Sequence, residues 1–142
     1  MARILLVDDE RDLLLIYTKL LMMEGHDVID SASNGKEAIE KFSKLPIKPD
    51  IIIMDYRMPV LDGLVAMKEI LKKTPNAKVL FVSAEKRVEK EALEAGAIGF
   101  FTKPTSIRTL LAEIDRIQKL QTEKLKAGPQ EFSVKESEWK VE

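Results

Sequence analysis

Short apolar runs alternate, through residue 120, with segments in which apolar residues recur every three or four positions. A run of this kind between turn-forming residues is typical of a strand, and a fully apolar run indicates burial on both faces of a sheet. The pattern predicts five strands, over residues 4–7, 28–31, 51–55, 79–82 and 97–102.

A segment with helical spacing follows each of these strands. The first helix is expected to end at Gly25, and a fourth, highly charged helix over about residues 86–95 is expected to end at Gly96, since glycine is common just past a helix C-terminus. Asn34 and Gly35 read as a chain break before the second helix. The apolar positions that define the five helices are Leu13, Leu14, Ile16, Tyr17, Leu20, Leu21, Ala38, Ile39, Phe42, Leu64, Met67, Ile70, Leu71, Val88, Ala92, Leu93, Leu110, Leu111, Ile114, Ile117 and Leu120.

Alternation of strand and helix predicts an α/β fold with a doubly wound, five-stranded parallel sheet and helices on both faces. Five such units are too few for a closed eight-stranded barrel, so the flavodoxin-like strand order 2-1-3-4-5 is favoured. In that order strands 1 and 3 are neighbours. We therefore expect Asp8, Asp9 and Asp55, which follow those two strands, to share one crevice at the carboxyl edge.

The expected domain covers residues 1–122, and residues 123–142 form a C-terminal extension that begins at the end of the fifth helix. After Gly128 and Pro129 the extension mixes apolar residues with charges and shows no helical pattern. A flexible tail is the favoured interpretation. A docking peptide or the start of a further domain remain alternatives.

Composition excludes several classes of function. The chain is 45% hydrophobic and 33% charged, its formal charge is −1, and it contains no cysteine. Thiol chemistry and thiolate metal sites are excluded, and no global positive field favours nucleic acid. No apolar stretch approaches the roughly 20 residues that span a bilayer. The expectation is a soluble, cytoplasmic protein that binds neither nucleic acid nor membrane.

Three carboxylates at one sheet edge, those of Asp8, Asp9 and Asp55, repel one another by about 4 kcal/mol per pair at 4 Å and an effective dielectric near 20. A divalent cation or a nearby ammonium relieves that repulsion, and oxygen ligands favour Mg²⁺. Lys103, after strand 5, supplies a positive charge. Helix capping by Asp8, Asp9 and Glu10, or a loop cap by Asp55, is the plainer alternative.

A carboxylate beside Mg²⁺ and a lysine suits phosphoryl transfer, because aspartate is a covalent nucleophile toward phosphorus. Ser83, at the end of strand 4, adds a hydroxyl donor for a phosphoryl oxygen. Its alternative reading is a cap for the next helix.

The chain resembles the response-regulator receiver domains of two-component signalling over roughly residues 2–120. The motifs that carry the resemblance are Val7-Asp8-Asp9-Glu10, Met54-Asp55-Tyr56-Arg57-Met58-Pro59, Leu61-Asp62-Gly63, Val82-Ser83-Ala84 and Thr102-Lys103-Pro104. The resemblance makes residues 1–122 a receiver domain with Asp55 as phosphoacceptor. It implies phosphoryl contacts from Ser83 and Lys103 and a cis bond before Pro104.

The resemblance also implies a metal site and a switch. Asp9, Asp55 and the carbonyl of Arg57 would ligate Mg²⁺ directly, and Asp8 would act largely through water. Ser83 and Phe100 would be the switch residues, and a face made by helix 4, strand 5 and helix 5 would change on phosphorylation. Phe100 lacks the hydroxyl of the tyrosine common there, and its plainer reading is a core residue.

Arg57 and Glu85 flank the expected pocket, and we hypothesise that they pair across its mouth and impede the attacking water. His26, the only histidine, is expected at the surface, away from the acidic crevice.

Four functional classes compete. A phosphorylation switch that promotes only its own phosphorylation and dephosphorylation is favoured over an enzyme. A haloacid-dehalogenase-like phosphatase would carry an aspartate where Arg57 stands. A docking domain without phosphorylation does not need the acidic set, and no helix-turn-helix pattern follows residue 120. Expected partners are a sensor histidine kinase or phosphotransfer protein, a downstream protein, and a second copy bound through the helix 4–strand 5–helix 5 face after phosphorylation.

Overall fold

A computed structural model describes residues 1–123, and its five strands form one parallel sheet in the order β2-β1-β3-β4-β5. Residues 1–107 form one compact unit that contains the sheet, and a second unit begins at Arg108. The elements in chain order are β1 Arg3–Val7, α1 Arg11–Met23, β2 Asp27–Ala32, α2 Gly35–Lys44, β3 Ile51–Met54, α3 Gly63–Lys73, β4 Val79–Ser83, a 3₁₀ turn Lys86–Val88, α4 Glu89–Glu94, β5 Gly99–Thr102, and a helix over residues 107–123, α5.

The predicted strand order and parallel α/β class are confirmed. β1 pairs with β3 in a register that sets Ile4 opposite Ile51 and Val7 opposite Met54. The Asp55 N–H continues this ladder by donating to the Val7 carbonyl at 3.0 Å. The residues that follow the two strands are therefore held side by side at the carboxyl edge.

The three central strands, β1, β3 and β4, are buried on both faces, as their apolar runs predict. All four residues of β3 are at most 2% exposed. Side chains of one face pack with residues of α2, α3 and α4 in a single cluster, whose largest members are Leu5, Phe42, Ile52, Met54, Met58, Leu64, Met67, Ile70 and Phe81. The alternate side chains, Ile4, Leu6, Ile51, Ile53, Leu80 and Val82, are equally buried.

Helix ends follow the expected chemistry, with one correction. Gly25 (φ 88°) and Gly96 (φ 120°) both adopt the left-handed conformation that glycine permits after a helix. Asn34, read as a chain break, is instead the N-cap of α2, and its side-chain oxygen accepts the Glu37 N–H at 2.8 Å. Asp62 caps α3 in the same way, through the Val65 N–H at 2.9 Å.

Two further expectations need correction. The fourth helix is a 3₁₀ turn followed by only six α-helical residues, because few of its side chains are buried enough to stabilise a longer element. His26 is 8% exposed and not a surface residue, since its Nδ1 accepts the Ala2 N–H at 3.0 Å just before β1. The predicted extension, apart from residue 123, lies outside the described residues. Within residues 1–123, no helix is both long enough and apolar enough to cross a bilayer.

Candidate functional site

Three carboxylates meet at the carboxyl edge of the sheet. Asp8 and Asp9 follow β1 and Asp55 follows β3, and one oxygen of each lies within 4.8 Å of the others. Asp8 and Asp55 are each 6% exposed, whereas Asp9 is exposed to solvent. Neither Asp8 nor Asp9 caps α1, whose N-cap is Glu10. A set of oxygen ligands this close, open on one side, fits a hydrated Mg²⁺ ion.

Lys103 reaches into this cluster from the end of β5. Its Nζ lies 2.7 Å from Asp8 Oδ2 and 3.5 Å from Asp55 Oδ2, with Glu10 Oε1 at 3.8 Å. The Lys103 backbone N–H donates to the Ser83 carbonyl at 2.8 Å, which fixes the start of the loop. The bond between Lys103 and Pro104 is cis, as the resemblance implied.

Burial and the neighbouring charges shift the pKa values of Asp55 and Lys103. Burial raises the pKa of Asp55 to about 6; the ammonium of Lys103 and the Tyr56 N–H oppose this rise, and the charge of Asp8 adds to it. Burial also disfavours the charged form of Lys103, but its hydrogen bond to Asp8 and the nearby carboxylates outweigh burial and raise the Lys103 pKa. Lys103 therefore stays protonated, and one ammonium faces several carboxylates.

Ser83 is fully buried at the end of β4. Its Oγ accepts the Glu85 N–H at 3.0 Å and closes a short turn, which leaves the hydroxyl hydrogen to donate elsewhere. This contact is not a helix cap, because Glu85 itself precedes the 3₁₀ turn and the turn has no side-chain cap. Ser83 accepts a backbone N–H just before the 3₁₀ turn but does not cap that turn, so the capping alternative is wrong.

A cavity of about 240 Å³ joins these side chains at the sheet edge. A water molecule occupies about 30 Å³ of liquid, so the cavity has room for a phosphoryl group and several waters. Asp8 lies beside the cavity, paired with Lys103, and does not line it. The lining residues are Asp9, Glu10, Asp55, Arg57, Ser83, Ala84, Glu85 and Lys103.

Arg57 and Glu85 form an ion pair among the residues that line this cavity. Arg57 Nε lies 2.8 Å from Glu85 Oε1, and a terminal nitrogen of the same guanidinium contacts that oxygen as well. The hydrogen bond lowers the pKa of Glu85 and raises the pKa of Arg57, so both groups stay charged. The hypothesised pairing is present, and its effect on water remains a prediction.

Two contacts around this pair were missed from the sequence. Arg87 Nε lies 3.2 Å from Glu85 Oε2, so two arginines share one carboxylate. The guanidinium of Arg87 lies over the ring of Tyr56, 5.9 Å from its centre. The only available signal was the position of Arg87 two residues after Glu85, in a segment where most residues are charged.

Phe100 lies away from the cavity and packs on the core. Its ring stacks on that of Phe81, with the ring centres 6.1 Å apart and the planes at 21°. Phe100 is half-buried and packs against the core cluster, which agrees with its interpretation as a core residue. A core residue at this position can also be the switch residue that the resemblance implies. Its role as a switch remains a prediction.

Comparison with known proteins gives consistent matches. Residues 4–115 match the response regulator receiver domain family. Chemotaxis protein CheY of Thermotoga maritima is 37% identical over 119 residues, which cover 82% of this chain and 98% of that protein.

A longer relative and a solved structure match as well. The protein-glutamate methylesterase/protein-glutamine glutaminase of Archaeoglobus fulgidus is 40% identical over 124 residues, 84% of this chain and 35% of the relative, so the chain spans about a third of that protein. CheY in the CheX-CheY-BeF3-Mg complex from Borrelia burgdorferi superposes with a TM-score of 0.77 at 30% identity, covering 81% of this chain and 87% of that one.

Proposed function

Because the chain belongs to the response regulator receiver domain family, we propose that it is a phosphorylation-activated switch of a two-component phosphorelay. Asp55 accepts a phosphoryl group from a sensor histidine kinase or a phosphotransfer protein. The observation that carries this proposal is the meeting of Asp55, Lys103 and Ser83 around one cavity of about 240 Å³. The protein promotes its own phosphorylation and dephosphorylation and has no separate substrate.

Asp55 is the nucleophile. Its Oδ1 accepts the Tyr56 N–H at 2.8 Å, which holds the carboxylate in place, and its Oδ2 lies toward Lys103. A carboxylate oxygen bonds to phosphorus while the phosphorus–nitrogen bond of the donor phosphohistidine breaks. The departing imidazole nitrogen takes up a proton. Burial raises the pKa of Asp55 and so disfavours its charged form, and added positive charge beside the carboxylate offsets that cost.

The residues that would hold Mg²⁺ are Asp9, Asp55 and the carbonyl of Arg57, with Asp8 acting largely through water. The support is the approach of three carboxylate oxygens within 4.8 Å and the lack of softer ligands among them. Mg²⁺, when bound, supplies charge neutralisation at the phosphoryl oxygens. The similar CheY structure from Borrelia burgdorferi is named as a complex with Mg and BeF3.

Lys103 and Ser83 bind the phosphoryl group. The Lys103 ammonium, 3.5 Å from Asp55 Oδ2, moves from Asp8 toward the new negative charge, because a phosphoryl group presents more charge than the carboxylate it replaces. Ser83 lines the same cavity, and its hydroxyl hydrogen, which the Glu85 contact leaves available, donates to a phosphoryl oxygen. Both contacts exist only after transfer, so they favour the phosphorylated state.

Ser83 and Phe100 pass the change on to a face that includes α4 and β5. α4 is held by few buried side chains, chiefly Val88 just before it and Ala92, and Leu93 remains 42% exposed. An element with few buried anchors shifts at low cost in free energy. The contribution of α5 to this face, and a phosphorylation-dependent homodimer through it, remain predictions of the resemblance.

The output passes to another protein. The similar structure from Borrelia burgdorferi is named as a complex of CheY with CheX, which supports a protein partner for this chain. A histidine kinase partner places the protein in the cytoplasm. Arg57 and Glu85 modulate the lifetime of the phosphorylated state from the cavity mouth.

Mass spectrometry tests the phosphoacceptor directly. Wild type and Asp55→Asn are incubated with acetyl phosphate and Mg²⁺, and a single phosphoryl adduct is expected on the wild type alone. The amide keeps the shape of the side chain and removes the nucleophile, so it is a matched control. Absence of an adduct with acetyl phosphate and with a phosphorylated kinase would favour the docking-domain alternative.

A further inference from the structure

We propose that Arg87 is a positioning residue for the cavity mouth, acting through Glu85 on Arg57 to slow hydrolysis of phosphorylated Asp55. This inference rests on the proposed function of Asp55. Arg87 and Tyr56 do not line the cavity, and their positions in the sequence do not indicate this role.

The two oxygens of one carboxylate are divided between two arginines. Glu85 Oε1 receives the Arg57 Nε–H at 2.8 Å, and Oε2 receives the Arg87 Nε–H at 3.2 Å. A carboxylate held at both oxygens has its plane fixed. Arg87 therefore determines which way Glu85 presents Oε1, and through it where the Arg57 guanidinium lies.

Arg87 in turn rests on a fixed surface. Its guanidinium lies 5.9 Å from the centre of the Tyr56 ring, within the range of a cation–π contact. The backbone of Tyr56 is held on both sides: its N–H donates to Asp55 Oδ1 at 2.8 Å, and its carbonyl accepts the Gly63 N–H at 2.8 Å. The Tyr56 side chain is also partly buried against the hydrophobic core, so its ring gives Arg87 a stable surface next to the phosphoacceptor.

The backbone of Glu85 is tied as well, because its N–H donates to Ser83 Oγ. The contacts run from Tyr56 to Arg87, then to Glu85 and to Arg57. Isolated exposed ion pairs contribute little, and Arg57 and Arg87 are 70% and 66% exposed. Here the Glu85 side chain is only 24% exposed and makes contacts with both arginines, and such networks are the exception to that rule.

Loss of the phosphoryl group is a hydrolysis. A water oxygen bonds to phosphorus, the bond from phosphorus to the Asp55 oxygen breaks, and the products are the carboxylate, inorganic phosphate and a proton. Arg57 lines the cavity and is held by Glu85, and in this proposal its guanidinium hinders the approach of that water. Removing Arg87 frees Glu85 to rotate, loosens Arg57, and speeds the reaction.

The test is a double-mutant cycle on the rate of phosphoryl loss, after acetyl phosphate is removed, in Mg²⁺ buffer. Arg87→Ala is expected to speed loss roughly two- to fivefold in the wild-type background, the range typical of one exposed pair. It is expected to change nothing in an Arg57→Ala background, because its effect requires Arg57. Lys86→Ala is the control, since it removes a cation one residue earlier whose partner is Glu89.

A second readout does not involve phosphorylation. In the unphosphorylated protein, the Arg57 Nε–H NMR signal is expected to exchange with water faster in Arg87→Ala than in Lys86→Ala. Equal phosphoryl loss in wild type and Arg87→Ala, or the same acceleration with and without Arg57, would overturn the inference while leaving Asp55 phosphorylation intact. Absence of an adduct on wild type would overturn the proposed function first and the inference with it.

Discussion

The ammonium of Lys103 is held by Asp8, with Nζ 2.7 Å from Oδ2, in the ground state of the site. The same nitrogen is 3.5 Å from the proposed nucleophile, Asp55. Lys103 is thus kept charged and close to the reacting carboxylate, but its short ion pair is with Asp8 and not with Asp55.

Neutralising Lys103 is expected to slow phosphorylation. Lys103→Met keeps the length of the side chain and removes the charge that stabilises the transferred group, so the rate of adduct formation from acetyl phosphate should fall about a hundredfold. The rate is measured by mass spectrometry over time, and Lys119→Met, a lysine in the second unit, serves as the control. A rate within twofold of wild type would contradict a role for Lys103 in transfer.

The raised pKa of Asp55 predicts a pH-dependent stability in metal-free buffer. The folded state binds the Asp55 proton up to about pH 6, whereas the pKa in the unfolded chain is the ordinary 3.8. The free energy of unfolding therefore falls as pH rises from 3.8 to about 6. Above pH 6 the full penalty applies, roughly 3 kcal/mol. Asp55→Asn has no such proton to lose and should be more stable than wild type at pH 7.5.

Chemical denaturation of both proteins from pH 3.5 to 7.5 with a chelator measures this difference. The advantage of Asp55→Asn should shrink as pH falls from 6 to 4 and vanish below the ordinary pKa. A difference in free energy of unfolding that stays constant over this range would show that burial of Asp55 is not what destabilises the wild type.

Divalent cation should stabilise the fold through Asp9. Mg²⁺ at ten times its dissociation constant raises the free energy of unfolding by about 1.4 kcal/mol. Thermal unfolding with Mg²⁺ and with chelator should show this gain in wild type and lose most of it in Asp9→Asn. Asp12→Asn, an exposed acidic residue in the first turn of α1, should keep the gain. Equal gains in all three proteins would place the ion elsewhere.

Val60 carries a backbone conformation that its side chain disfavours. Its φ is 71°, in the loop between β3 and α3, and the side chain is 75% exposed. A left-handed backbone conformation destabilises an L-residue by about 1–2 kcal/mol. Glycine avoids this strain, but it loses more conformational entropy on folding, which offsets roughly 0.5–1 kcal/mol of the gain. Val60→Gly should therefore raise the free energy of unfolding by roughly 0.5–1 kcal/mol.

The same substitution elsewhere gives the opposite sign. Val65 is also exposed but lies within α3, where glycine weakens a helix, so Val65→Gly should lower the free energy of unfolding. Denaturant titration of the two variants against wild type compares them directly. A loss of stability in Val60→Gly would mean that the loop does not relax when the strain is removed.

The sequence was enough to predict the fold and the meeting of the three carboxylates at one sheet edge, because both follow from short-range patterns. The apolar runs determine which segments are buried strands, and the parallel order then brings Asp8 and Asp55 to one edge. Lys103 and Ser83 follow from the same logic, since each sits at the end of a strand.

What the sequence did not reveal depends on side-chain geometry in loops. Arg87 reads as one charge among many, and only its contact with Glu85 and the Tyr56 ring distinguishes it. His26 was expected at the surface, because no pattern shows that Ala2 needs an acceptor there. The left-handed backbone of Val60 is likewise invisible, since valine is not a residue that signals such a turn.

The alignment of β1 with β3 governs more than the shape of the sheet. A shift of one residue between them would turn alternate side chains to the opposite face and part Asp8 from Asp55. An ion that needs carboxylates from both strands has no binding site until two segments far apart in the chain have found their proper partners. Divalent-cation affinity at the proposed site would thus report whether β1 and β3 have paired in the native register.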